Sequence, residues 1–135
     1  MVEIRIAYQG KLRCSARHVD SGVTLITDAP KDNMGQGASF SPTDLVGAAL
    51  GTCMLTIMGI AAQKMELDLS GASVVVTKEM VADPLRRIGR LAVTFNLPGR
   101  CTAEQRQKLE NAAMTCPVHK SLHPNVQTPI TFNWT

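Results

Sequence analysis

Aromatic residues are scarce in this chain of 135 residues, which has three Phe, one Tyr and one Trp. With Tyr8 and Trp134 near opposite ends, they form no stacking platform for single-stranded nucleic acid, and the core must be aliphatic. Charge is also thin: 14 Lys and Arg stand against 11 Asp and Glu, and no basic cluster exceeds Arg86 and Arg87. A net charge of +3 without a basic stripe excludes the electrostatic footprint of a DNA- or RNA-binding surface. The first twelve residues alternate polar and apolar side chains instead of forming an unbroken apolar run, so no secretory signal is read there and a cytoplasmic location is expected.

Hydrophobic residues make up 44% of the chain, enough to offset chain entropy, and the length suits one domain spanning 1–135. The single long stretch without charge is Leu45 to Gln63. It approaches the roughly 20 residues needed to span a bilayer. It is interrupted by Gly47, Gly51 and Gly59 and lacks an aromatic belt, so it reads as a core helix and no membrane association is expected. Four cysteines (Cys14, Cys53, Cys101 and Cys116) in a chain without a signal point to thiol chemistry more than to a disulfide framework.

Period-two alternation from Val2 to Tyr8, resumed over Leu12 to His18 and Val23 to Thr27, predicts an antiparallel meander, with its second turn at Asp20, Ser21 and Gly22. Pro30, Asn33, Gly35 and Gly37 leave Asp28 to Ser41 as a loop without regular structure. Ser41 as N-cap, Pro42 and Asp44 in the first turn start a helix that runs to Lys64 or Met65. On that helix Val46, Ala49, Leu50, Thr56, Ile57 and Ile60 share a face with Cys53. Gly47, Gly51 and Met58 lie opposite, where the two glycines would admit a second backbone. A hairpin follows over Gly71 to Met80 and Ile88 to Leu97. Thr102 and Gln105 form a capping box for a helix ending near Cys116, Pro117 restarts a short helix, and Ile130, Phe132 and Trp134 alternate in a last strand. The class is α+β with antiparallel pairing.

Cys116 precedes Pro117 and therefore caps the short helix, where unpaired N–H groups and His119 and Lys120 one turn on would each lower a thiol pKa. The competing reading is a small buried hydrophobe beneath the preceding helix. Cys53 has no charged residue within eight positions on either side and on local grounds reads as a structural thiol. Cys14 and Cys101 have no identifiable partner. Cys116, His119 and His123 form a Cys-x2-His-x3-His run that Cys53 would complete as a zinc set, but the run straddles a short helix and no second ligand pair is visible. No metal or other cofactor is expected. A Cys–His hydrolase is disfavoured for want of an oxyanion motif.

Three segments carry a resemblance: Phe40-Ser41-Pro42-Thr43-Asp44-Leu45, Ala48-Ala49-Leu50-Gly51-Thr52-Cys53, and Cys116-Pro117-Val118-His119-Lys120. Together with the order of elements, they resemble the family of osmotically inducible protein C and the organic hydroperoxide resistance proteins (OsmC/Ohr). The resemblance implies antiparallel sheets wrapped around long central helices in an intertwined homodimer. It also implies a thiol peroxidase, in which Cys53 attacks a small organic hydroperoxide and Cys116 resolves the sulfenic acid as a disulfide that an external dithiol reduces. Thr43, Asp44, Ala49 and Leu50 would contact substrate. Hydroperoxide resistance proteins place a glutamate directly after the helix-initiating proline to hold an arginine over the reactive thiol, and here that position is Thr43. That departure at Thr43 assigns the chain to the OsmC-like branch; Arg17 is the candidate arginine and Arg13 the next. The alternative on the same scaffold is a redox sensor, or a binder of a small lipophilic ligand, with little turnover.

Overall fold

In the computed structural model, which describes residues 1–135, the apolar alternation at the start of the chain is realised as β1 (Ile4–Gly10). It pairs antiparallel with β2 (Arg13–His18), which pairs with β3 (Thr24–Asp28) in a three-stranded sheet ordered β1-β2-β3. The expected second turn is present. Gly22 takes φ 75°, the His18 amide donates to Val23 O at 2.8 Å and Gly22 N–H donates back to His18 O at 2.8 Å. The sheet belongs to the first of two compact units, Met1–Val46, and the second comprises Gly47–Thr135. The segment after β3 departs from the reading as plain loop by one 3₁₀ turn at Lys31–Asn33. It is tied back by Ala38 N–H to Asp28 Oδ2 at 2.9 Å and by Ser39 Oγ to Ile26 O at 2.7 Å.

Helix α1 (Pro42–Lys64) starts where Ser41 and Asp44 cap each other reciprocally: Asp44 N–H donates to Ser41 Oγ at 3.1 Å and Ser41 N–H to Asp44 Oδ2 at 2.9 Å. Two of the orphan amide donors of a helix start are thereby satisfied. Its C-terminus closes with Glu66 at φ 55°, the Leu67 amide reaching Ala62 O at 2.8 Å and the Glu66 amide reaching Gln63 O at 3.1 Å. This is a Schellman end built without glycine. By length and composition α1 is apolar enough to cross a membrane, with mean hydropathy 2.0.

In the second unit α1 buries Gly47, Leu50, Gly51, Met54, Met58 and Ala62. The glycine face does not receive another backbone, as the sequence suggested. It receives Val74 and Val76 of β4 (Ser73–Val81), and Leu91 of β5 (Arg87–Leu97) also approaches Gly47. A Cβ on Gly51 would fall 2.8 Å from Val76 Cγ2. Leu91, Val93, Phe95 and Leu97 form the buried face of β5, and Leu109 and Ala113 of α2 (Ala103–Ala113) join the same core. The capping box at Thr102 and Gln105 forms as expected.

Strand order in this unit is β4-β5-β6, with β6 at Ile130–Trp134. β4 and β5 are antiparallel, whereas β6 runs parallel to β5, which corrects the expectation of antiparallel pairing throughout. The connection through α2 and α3 (Pro117–Ser121) supplies the long crossover that parallel strands need and a hairpin cannot. Phe95 and Phe132 are register partners whose rings stack at 5.0 Å, and Trp134 donates Nε1–H to Glu110 Oε2 at 3.1 Å.

Candidate functional site

The turn between α2 and α3 places Cys116. Pro117 occupies the first helical position, where its missing N–H costs nothing, so Cys116 becomes the N-cap and its Sγ accepts the His119 amide at 3.4 Å. The side chain is fully buried, as are Leu109 and Ala113 of α2. Cys53 lies midway along α1 and is half-buried, and its thiol is near enough to Cys116 to act on it electrostatically. Both cysteines are free thiols.

Local sequence physics points to Cys116 as an activated thiol, and the structure does not bear that activation out. Burial pushes the Cys116 thiol up, and the neighbouring Cys53 pushes it in the same direction. The backbone amides of His119 and Val118 pull it down, but they do not outweigh desolvation. Cys116 is therefore held as the protonated thiol at neutral pH.

His119 is anchored at both ends. Its amide is bound by Cys116 Sγ, its Nε2 lies 3.0 Å from Thr128 Oγ1, and its Nδ1 is buried without a hydrogen-bond partner. Thr128 escaped the sequence reading because it is reached through an irregular segment that carries no periodic signal. The zinc-like run does not converge: no three His, Cys, Asp or Glu side chains stand together as a metal-holding group.

The other expected site residues are placed as follows. Leu50 is buried in the second unit's core, and Ala49 is exposed. Thr43 places its hydroxyl 3.2 Å from Ser41 Oγ, and Asp44 takes part in the helix cap. Arg17 is exposed on β2, with its guanidinium beside the Gly22 turn. Arg13 is engaged, with Nε 3.6 Å from buried Asp28 and Nη2 donating to Gln36 Oε1 at 3.1 Å. Cys14 and Cys101 remain free and half-buried, without a role that the structure explains.

A family model described as OsmC-like protein matches residues 35–131. Among solved structures, one from Psychrobacter arcticus 273-4, named for osmotic stress induction and a detoxification response, is 43% identical with a TM-score of 0.92. That alignment covers 98% of this chain and 96% of that one. The organic hydroperoxide resistance protein OsmC of Legionella pneumophila shares the fold at 17% identity and TM-score 0.79, covering 98% and 96% of the two chains. OhrB of Bacillus subtilis, also an organic hydroperoxide resistance protein, shares it at 19% identity and TM-score 0.72, covering 98% of each. No curated protein matches the sequence. The family match over most of its length and the 43% identity across 98% of it establish that this chain belongs to the OsmC-like protein family.

Proposed function

We propose that this protein is a cysteine-based peroxidase of small organic hydroperoxides. The observation that carries the reading is the pair of free thiols, Cys53 and Cys116, which the fold brings near enough to act on each other across 63 positions of sequence. In the proposed cycle the Cys53 thiolate attacks the distal oxygen of ROOH. The O–O bond breaks, the alkoxide takes a proton to leave as ROH, and Cys53 becomes a sulfenic acid. Cys116 then attacks that sulfur, forming a disulfide and releasing water. An external dithiol returns both cysteines to thiols and leaves as its own disulfide. The half-buried Cys53 is the more accessible to substrate, while Cys116, buried and protonated at rest, must give up its proton as it attacks, that proton leaving with the sulfenic hydroxyl as water. Arg17 is the proposed assisting cation, since Arg13 is already engaged by Asp28 and Gln36.

The same reading carries a homodimer. What supports it is the apolar surface that one chain leaves uncovered: Ile4 at 58%, Ile6 at 68% and Tyr8 at 67% exposed on β1, and Ile60 at 49% on the Cys53 side of α1. A redox sensor or lipophilic-ligand binder on this scaffold draws its support from Thr43, which stands where the hydroperoxide resistance proteins have glutamate. Turnover separates the two readings.

The test titrates fully reduced protein with cumene hydroperoxide, counts the remaining thiols and locates any new disulfide by mass spectrometry. A Cys53–Cys116 bridge complete at one equivalent per chain, followed by many turnovers with added dithiol, is the expected result. Cys53→Ser should abolish turnover and Cys116→Ser should stop the cycle at the sulfenic acid. Full turnover in both variants would overturn the thiol mechanism, and stoichiometric oxidation without turnover would favour the sensor.

A further inference from the structure

We infer that a second site, formed where the β4–β5 hairpin meets the segment before β6, binds a small singly charged anion through Arg87. In a regular strand Arg87 and Arg90 are an odd number of residues apart and point to opposite faces. Here the register breaks: Glu79 pairs with Arg90 but Met80 pairs with Ile88, which leaves Gly89 as an extra residue on β5. A bulge of this kind re-aims the side chains around it. The outcome is that Arg87 and Arg90 line one cleft of about 370 Å³ together with Glu79, Asn125 and Gln127. Gly89 is required for the geometry, because a Cβ there would fall 2.5 Å from Val81 Cγ1.

The charges in the cleft are unequal in their needs. Arg90 is matched by Glu79 at 3.1 Å. Arg87 has only a long hydrogen bond, Nη2 to Asp83 O at 3.4 Å, and its Nη1 is shielded from solvent with no hydrogen-bond partner. A buried guanidinium donor left unsatisfied is costly, and its planar fork fits the two oxygens of a carboxylate or the edge of a tetrahedral oxyanion. One net positive charge among Arg87, Arg90 and Glu79 matches a ligand of single negative charge. The volume is at the small end of ligand pockets, and the amides of Asn125 and Gln127 add polar contacts beside the fork.

Titration of ¹⁵N-labelled protein with sodium butyrate, against sodium chloride at matched ionic strength, tests the proposal. Saturable amide shifts are expected at Gly89, Arg90 and Gln127, with none from neutral butyramide. Arg87→Met should weaken butyrate at least tenfold while its spectrum outside the hairpin stays unchanged, and Arg87→Lys, which keeps charge without the fork, should fall between. A parallel titration with monobasic phosphate distinguishes the source: tighter phosphate assigns the site to tetrahedral oxyanions, and tighter butyrate assigns it to carboxylates. Shifts no larger than those with chloride, equal shifts with butyramide, or an Arg87→Met affinity within twofold of wild type would each overturn it.

Discussion

Asp28 illustrates how a single side chain fixes a long loop. Its carboxylate is buried at the end of β3, accepts the Ala38 amide at 2.9 Å and faces Arg13 at 3.6 Å. The Ala38 hydrogen bond is the main cause that holds this carboxyl below the ordinary value of 3.8, with the Arg13 charge adding to it against the cost of burial. A carboxyl whose folded pKa is lowered contributes stability at pH above its unfolded value, and loses it as pH falls through the folded one. Urea midpoints of wild type and Asp28→Asn should therefore differ near neutrality and converge in acid. A pH-independent gap would show that the charge contributes nothing. At this scale the sequence was partly legible. The N-cap position of Cys116 follows directly from Pro117, and the structure agrees. The state of its thiol does not follow, because it depends on burial and on Cys53, which chain neighbours cannot reveal. Arg13 was likewise unreadable, since Asp28 and Gln36 reach it only through strand pairing and loop closure.

The elements were more legible, because each is announced by local chemistry. Ser41-Pro42 and Thr102 with Gln105 marked two helix starts, and Leu91 to Leu97 showed the buried face of β5. The end of α1 was less sharp: Glu66 takes the left-handed position usually given to glycine, so no residue type flagged it. The glycines of α1 announce a packing surface but not its neighbour, since nothing local shows that valines of β4 will fill the space. Their difference is testable. Gly51→Ala places a methyl 2.8 Å from a stiff valine and should destabilise the fold by about 1–3 kcal/mol in chemical denaturation. Gly59→Ala meets nothing within 4 Å and should stabilise by about 0.5–1 kcal/mol through helix propensity alone. Equal effects at the two positions would contradict the packing described.

For the molecule as a whole, family membership is readable because three short segments and the element order carry it, and the family match spans residues 35–131. What the sequence hid was the direction of the last strand, since Ile130 to Trp134 alternates identically in a parallel or an antiparallel ladder. The exposed apolar rows of β1 make the proposed association measurable: the melting temperature should rise with protein concentration, and Ile6→Glu should remove that dependence. A concentration-independent transition in the wild type would argue for a monomer. The parallel β5–β6 pairing also has a consequence in time. During synthesis, one edge of β5 stays open from the moment Leu97 appears until the strand ending at Trp134 is made. At roughly 5–20 residues per second that interval lasts a few seconds. Throughout it, the nascent chain presents an aliphatic strand with unpaired amides on one side, the arrangement most prone to capture by a neighbouring chain on the same messenger.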